Sequence, residues 1–275
     1  LYIDTKTKAL HRQEAKVVCV AGNSIETPRL FLMSASSMFP NGLANSSDQV
    51  GRNYMRHLTG SVYARFDKPV NFYRGETMAG FLADEVKNNP KRGFVGGYYL
   101  ETLALGPSFM GACLEPGGWG KKFADMMDGY RNLAGMWIVG EDMPQANNRI
   151  TLGSAKDAFG LPAPNVHFDD HPNDTAMRNH AYNVGEKIYK SVGAKQTWRT
   201  TPYPHTHNLG TMRMSAKKKD GVTNKWGRCH DIKNLFVSDG SVMTTGAACN
   251  PTLTIVALAI RQGEYLADQL KKGKI

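Results

Sequence analysis

An α/β unit joined to an antiparallel β unit is the fold class this sequence predicts. Three observations predict it: a short β-branched strand that runs through a small-residue turn into a helix, a long middle stretch of spaced β segments broken by Gly and Pro, and a well-marked helix at the end. The strand is Val17-Val18-Cys19-Val20-Ala21-Gly22, a continuous apolar run closed by Gly, as in a buried parallel strand. Cys19 within it reads as a buried small hydrophobe. Thr27-Pro28 supplies an N-cap and a first-turn proline for a helix through Arg29-Leu30-Phe31-Leu32. In such sheets ligands bind at the carboxyl ends of the strands.

The texture changes between Thr59 and Asp169. Ser61–Phe66, Phe94–Leu100, Ser108–Leu114, Gly135–Val139, Arg149–Leu152 and Asn165–Phe168 have β character, with no helix expected between them. That spacing predicts an antiparallel sheet and a second domain. His171-Pro172-Asn173-Asp174 opens a helix in which Met177, Ala181, Val184 and Ile188 recur at helical spacing, and Gly193 stops it. In the last helix Asn250 is the N-cap candidate, Pro251 fits the first position, and an apolar-rich run continues from Leu253 to Leu270.

Composition narrows the function classes. The chain has 275 residues, 41% hydrophobic and 21% charged, which is globular rather than disordered and enough for one large domain or two smaller ones. The net charge of +10 is scattered. Its densest runs, Lys217-Lys218-Lys219 and Lys271-Lys272-Gly273-Lys274, read as a solvated loop and a helix end rather than a nucleic-acid surface. No apolar stretch is long enough to span a membrane. The 4 cysteines are far apart and carry no C-x-x-C, so neither a disulfide framework nor a structural zinc site follows. Leu1 to Leu10 is not a signal peptide, and the start at Leu1 suggests a fragment, a processed chain or an incomplete gene model; the compartment, cytoplasmic or periplasmic, stays open. No G-x-G-x-x-G follows a strand and no P-loop occurs; Gly96-Gly97 and Gly117-Gly118-Trp119-Gly120 have the wrong spacing.

Two segments carry candidate chemistry: His205 to Met214 (HTHNLGTMRM) and Val237 to Thr254, which holds Val237-Ser238-Asp239-Gly240-Ser241 and Gly246-Ala247-Ala248-Cys249-Asn250-Pro251-Thr252-Leu253-Thr254. The second is a strand, an acidic turn, a small-residue loop and a capped helix. Small residues let backbone approach a ligand, and free N–H groups at a helix start stabilise negative charge. An Asn there can equally cap the helix or donate to a substrate oxygen. In the first segment a histidine is the commonest general base, yet a lone loop histidine is also an ordinary surface or core residue. His205 and His207, two apart, could share a strand face and hold a metal with a third ligand such as His230 or His167, the basis of a metal-dependent hydrolase reading, but no recognised spacing supports one.

Together these segments resemble the C-terminal signature of the glucose–methanol–choline oxidoreductases, nearest to the branch of pyranose oxidase and the bacterial sugar and gluconate dehydrogenases. Val17 to Ser34 is similar to the family's strand and helix near the flavin, Val50 to His57 to its V-G-R-N-x-x-x-H stretch, His207 to Met214 to H-x-x-G-T-x-R-M, and Asn234 to Leu253 to N-L-F-V-x-D-G-S…N-P-T-L. The resemblance implies FAD-dependent oxidation of a CH–OH group of an alcohol, sugar or polyol. His207 would take the hydroxyl proton, the hydride would pass to flavin N5, and Asn250 would orient the substrate oxygen. Asp239 and Gly240 would face the phosphate–ribityl portion, and Pro251, Thr252 and Leu253 the pyrimidine edge.

It further implies a partial FAD-binding domain that lacks the N-terminal dinucleotide-binding βαβ unit. Its parts would be residues 1–57 and 201–275, with an antiparallel substrate-binding domain over 58–200. A complementary N-terminal chain or an electron-transfer subunit is the expected partner, and the isolated chain is expected to hold little FAD and to turn over little. A different class, a non-catalytic subunit that keeps the fold and binds a partner chain, stays open beside the enzyme.

Overall fold

The computed structural model describes residues 1–114, 118–202 and 206–275. In chain order the elements are β1 (Tyr2–Ile3), β2 (Leu10–His11), β3 (Val18–Val20), α1 (Asn23–Met33), β4 (Leu58–Arg65), β5 (Phe81–Leu82), β6 (Tyr98–Thr102), α2 (Pro107–Leu114), α3 (Gly120–Asp128), β7 (Leu133–Gly140), β8 (Arg149–Lys156), β9 (Pro162–His167), α4 (Pro172–Ser191), β10 (Gln196–Arg199), β11 (Leu235–Val237) and α5 (Thr252–Lys271). No helix among the described residues is long and apolar enough to cross a membrane.

The antiparallel unit is a sheet of strand order β10-β4-β7-β6-β5, every neighbouring pair antiparallel. Its period-2 pattern puts Val62, Ala64, Tyr98, Leu100, Met136 and Ile138 on one face, where α4 covers them with Met177, Ala181, Tyr182 and Tyr189. His171 and Asp174 close a capping box at the start of α4, as the His-Pro-Asn-Asp run predicts a helix there. Gly193, the predicted stop, takes a positive φ of 91° just beyond the helix.

Ser108–Leu114 is not a strand. It lies in α2, which Pro107 opens, and α3 follows, so helices do intervene between the strands. An apolar run this short does not separate strand from helix by periodicity. Here Pro107 at the first helical position decides, and Met110 is drawn into the core on the sheet's other face with Tyr63, Leu103 and Leu133.

The α/β part pairs β3 with β11 in parallel, Val18 opposite Leu235 and Val20 opposite Val237. Behind β11, Phe31 of α1 packs with Val50, Met212, Val222, Leu235 and Val237. Two expectations change here. Cys19 is exposed rather than buried, because β3 has β11 as its sole strand neighbour among the described residues. And α1 begins at Asn23, with Pro28 inside it, instead of after Thr27. The early start is held by side chains that take its first donors: Asn23 Oδ1 accepts from the Ile25 and Glu26 amides, and Asp239 Oδ2 accepts from the Asn23 amide at 3.0 Å. Thr27 is thereby left for a tertiary contact, its hydroxyl donating to Asp239 Oδ2 at 2.6 Å.

Candidate active site

The two motif segments are laid side by side by backbone alone. Met55 and Leu209 exchange both hydrogen bonds, Gly51 N–H donates to Thr211 O, and Thr211 N–H donates to Arg52 O. So the V-G-R-N stretch runs antiparallel to the residues after His207. At Gly210 that contact is too close for a side chain, a Cβ there lying only 2.0 Å from the Asn53 carbonyl oxygen, and on its other side Gly51 meets β8, where a Cβ would lie 2.3 Å from the Ile150 carbonyl oxygen; both glycines have positive φ.

This pairing brings His57 and His207 together. Their Nδ1 atoms are 3.0 Å apart, and His57 Nε2 lies 2.8 Å from the carbonyl oxygen of Ala247. A carbonyl only accepts, so His57 carries its proton on Nε2 and donates it to Ala247. Burial pushes the His57 pKa down to about 4, with the neighbouring His207 adding to the fall, so the ring is neutral near pH 7 and its Nδ1 is an acceptor. His207 must then donate from Nδ1, which fixes the tautomer with the lone pair on Nε2. Burial also lowers the His207 pKa from its ordinary 6.5.

Beneath this pair sits Asp142, 1% exposed. Its Oδ2 accepts from the Arg56 amide at 2.7 Å and the His57 amide at 3.1 Å, while Oδ1 has no partner among the described residues. Burial, with Asp174 adding repulsion, pushes its pKa up to about 7. Folding thus raises the proton affinity of this carboxyl, and the stability it contributes is whole below pH 3.8 and is lost as the pH climbs through about 7. His57, lowered from 6.5, runs the opposite way, so the readout is a difference between two proteins. The variant Asp142→Asn, which keeps an acceptor for the two amides, is expected to gain on the natural protein by roughly 1 kcal/mol per pH unit between those limits, measured as Tm against pH.

The acidic turn lies against the same segment. Gly210 N–H donates to Gly240 O, Met212 N–H donates to Ser241 O, and Gly240 approaches the Asn208 carbonyl so closely that a Cβ would sit 2.9 Å from it. The Asp239 carboxylate is fully used inside the protein: Asn23 and Thr27 donate to one oxygen, the Ser241 amide and hydroxyl to the other. Asn250 is exposed and is not the N-cap of α5; Pro251 holds that position and no side chain caps it. The Asn250 amide instead meets β6, where the Tyr99 hydroxyl lies 3.0 Å from Oδ1 and Glu101 Oε1 lies 3.5 Å from Nδ2. Thr252 and Leu253 at the start of α5 are exposed, Leu253 to 81%.

Over this same region, residues 144–259 match the model of the GMC oxidoreductases, in its C-terminal part. The chain carries the C-terminal domain of the GMC oxidoreductases. It is 38% identical to a 2-methyl-1,2-propanediol dehydrogenase of Mycolicibacterium austroafricanum, over 97% of this chain and 50% of that protein. It is 32% identical to the fructose dehydrogenase large subunit of Gluconobacter japonicus, again over 97% of this chain and 50% of that one. Among solved structures, a formate oxidase superposes with a TM-score of 0.67 at 16% identity, covering 93% of this chain and 55% of the other. The GMC chain thus spans about half the length of the curated relatives it matches.

Of the residues the sequence singled out in this GMC chain, His207 meets the loop of Asn250 through His57, which contacts His207 on one side and Ala247 on the other. Asp239 and Gly240 lie behind His207, and Pro251, Thr252 and Leu253 open α5. His205 lies outside the described residues, as does Gly117. Among the described residues no cluster of three His, Cys, Asp or Glu side chains could hold a metal ion. His57, Asp142, Tyr99 and Glu101 were not singled out. His57 closes a stretch that was read for its likeness alone. Tyr99 and Glu101 are two apart on a strand and so share a face, a signal too common to select them.

Proposed function

We propose that this chain is the catalytic half of a FAD-dependent oxidoreductase that oxidises a CH–OH group of an alcohol, sugar or polyol. The observation that carries this reading is the His57–His207 pair, which leaves a neutral imidazole with its basic nitrogen at Nε2. His207 Nε2 accepts the proton of the substrate hydroxyl. Asn250 Nδ2 donates to the same oxygen as its charge develops, so base and donor act together on one atom. His57 touches no substrate in this scheme; it holds the tautomer and tilt of His207.

A bound flavin would supply the acceptor for the hydride. The residues present fit such a ring. Amide donors at the start of α5 have no side-chain cap, and Thr252 and Leu253 are open to solvent, which suits the carbonyl edge of a pyrimidine. Since the Asp239 carboxylate is already saturated, the Asp239–Gly240 turn would meet the ribityl–phosphate portion through backbone. In this scheme residues 1–57 and 201–275 face the flavin and 58–200 the substrate.

The remainder of the flavin-binding half is assigned to the portion of the relatives that this chain does not span. That half would also cover the apolar stripe of Leu253, Val256 and Ile260 on α5, exposed to 81%, 48% and 60%. The relatives named as diol and fructose dehydrogenases support the substrate class. Anaerobic addition of diols and sugars to the flavin-loaded full-length protein is expected to bleach the flavin absorption. Persistent colour across the panel would refute the activity.

A further inference from the structure

A buried carboxylate beside Asn250 has no role in the chemistry above. Glu101, in β6, is 4% exposed, and no cation pairs with it among the described residues. Its Oε1 lies 2.7 Å from the Tyr99 hydroxyl and 3.5 Å from Asn250 Nδ2, whereas its Oε2 is buried with no partner among the described residues. Leaving a buried carboxylate oxygen without a donor costs several kcal/mol in general, which marks a position where a donor belongs. Next to it is a cavity of about 250 Å³ lined by Phe81, Ala83, Val86, Tyr99, Cys249 and Asn250 besides Glu101 itself. At roughly 30 Å³ per water-sized group, it takes about eight such groups, the bulk of a small polyol.

We propose that Glu101 is a specificity-determining residue whose carboxylate accepts a hydrogen bond from a second hydroxyl of a polyol, next to the carbinol being oxidised. This rests on the reading of Asn250 as the donor to the reacting oxygen. Asn250 Nδ2 and Glu101 Oε1 are already neighbours, so a donor and an acceptor stand side by side. A diol with adjacent hydroxyls answers both: one oxygen accepts from Asn250 and the other donates to Glu101. The cavity walls argue for hydroxyl over ammonium. Phe81, Ala83 and Val86 offer no polar side chain and Cys249 only a weakly accepting sulfur, and a hydroxyl needs one acceptor where an ammonium needs three and loses far more hydration on burial. The same apolar side chains suit the carbon skeleton, with Phe81 and Tyr99 edge to face at 6.0 Å. Simple mono-alcohols would leave the carboxylate unanswered, and a site built to bond a hydroxyl discriminates against an analogue lacking it.

The test uses the full-length flavin-loaded protein and two variants, Glu101→Gln and Glu101→Leu, with 1,2-propanediol, 1-propanol and 1-amino-2-propanol as probes. The natural protein is expected to favour the diol over 1-propanol in kcat/KM by roughly 10-fold or more, and Glu101→Leu to bring that ratio near unity chiefly by weakening the diol. Glu101→Gln, which keeps the shape, is expected to fall between. Saturation-transfer NMR on the same proteins reports diol binding without turnover and should weaken in parallel. A ratio unchanged in both variants, or an amino alcohol preferred over the diol, overturns the proposal. Glu101-dependent diol binding in a protein that oxidises no probe would sink the oxidation reading and leave Glu101 only as a diol-binding residue.

Discussion

Replacing His207 with alanine in the full-length protein is expected to lower kcat by roughly 10³-fold while the flavin stays bound, the size usual for loss of a positioned general base. Steady-state turnover and the flavin absorbance, taken on one preparation, separate the two effects. A variant that keeps its colour and its rate would remove His207 from the chemistry and favour a non-catalytic subunit. The pH profile adds a sign. In the proposed reaction His207 acts as a base when neutral, and burial lowers its pKa, so the acidic limb of kcat/KM should fall below 6.5 rather than above it.

The second large effect is expected at a residue that touches no substrate in the proposed scheme. His57→Phe keeps the ring's bulk and removes its hydrogen bonds to His207 Nδ1 and to the Ala247 carbonyl. The His207 ring then loses the contact that selects its tautomer, and kcat should drop roughly 10²-fold with KM little changed, because what is lost is orientation of the base. The acidic limb should also move toward the ordinary histidine range as water enters. A fall in KM-limited affinity alone, with kcat and pH profile intact, would show that His57 is merely packing.

Most of the scaffold was legible because it is written in local chemistry. The β4 and β7 alternation, the His171–Asp174 box and the β-branched run before Gly22 each follow from short-range rules, and each lies close to its expected place. Errors arose where distant residues decide. Ser108–Leu114 is helical because Pro107 starts it and Met110 finds a core across the chain. α1 starts early because Asp239, over 200 residues away in sequence, accepts from its first amide. Asn250 looked like a cap, yet its amide turns to β6, whose Tyr99 and Glu101 no nearby motif announces. For the candidate site, the motif points to His207 and Asn250, but not to His57, which links their loops, since only the folded backbone pairs 51–55 with 209–211.

Ala247 takes a left-handed backbone at φ 60°, uncommon for a residue with a side chain, and that twist accompanies the contact of its carbonyl with His57. The loop that carries Asn250 is therefore fastened to the imidazole that contacts His207. With His207 as base and Asn250 as donor, as proposed, a shift of either loop would pass to the other through this one contact, three residues from Asn250.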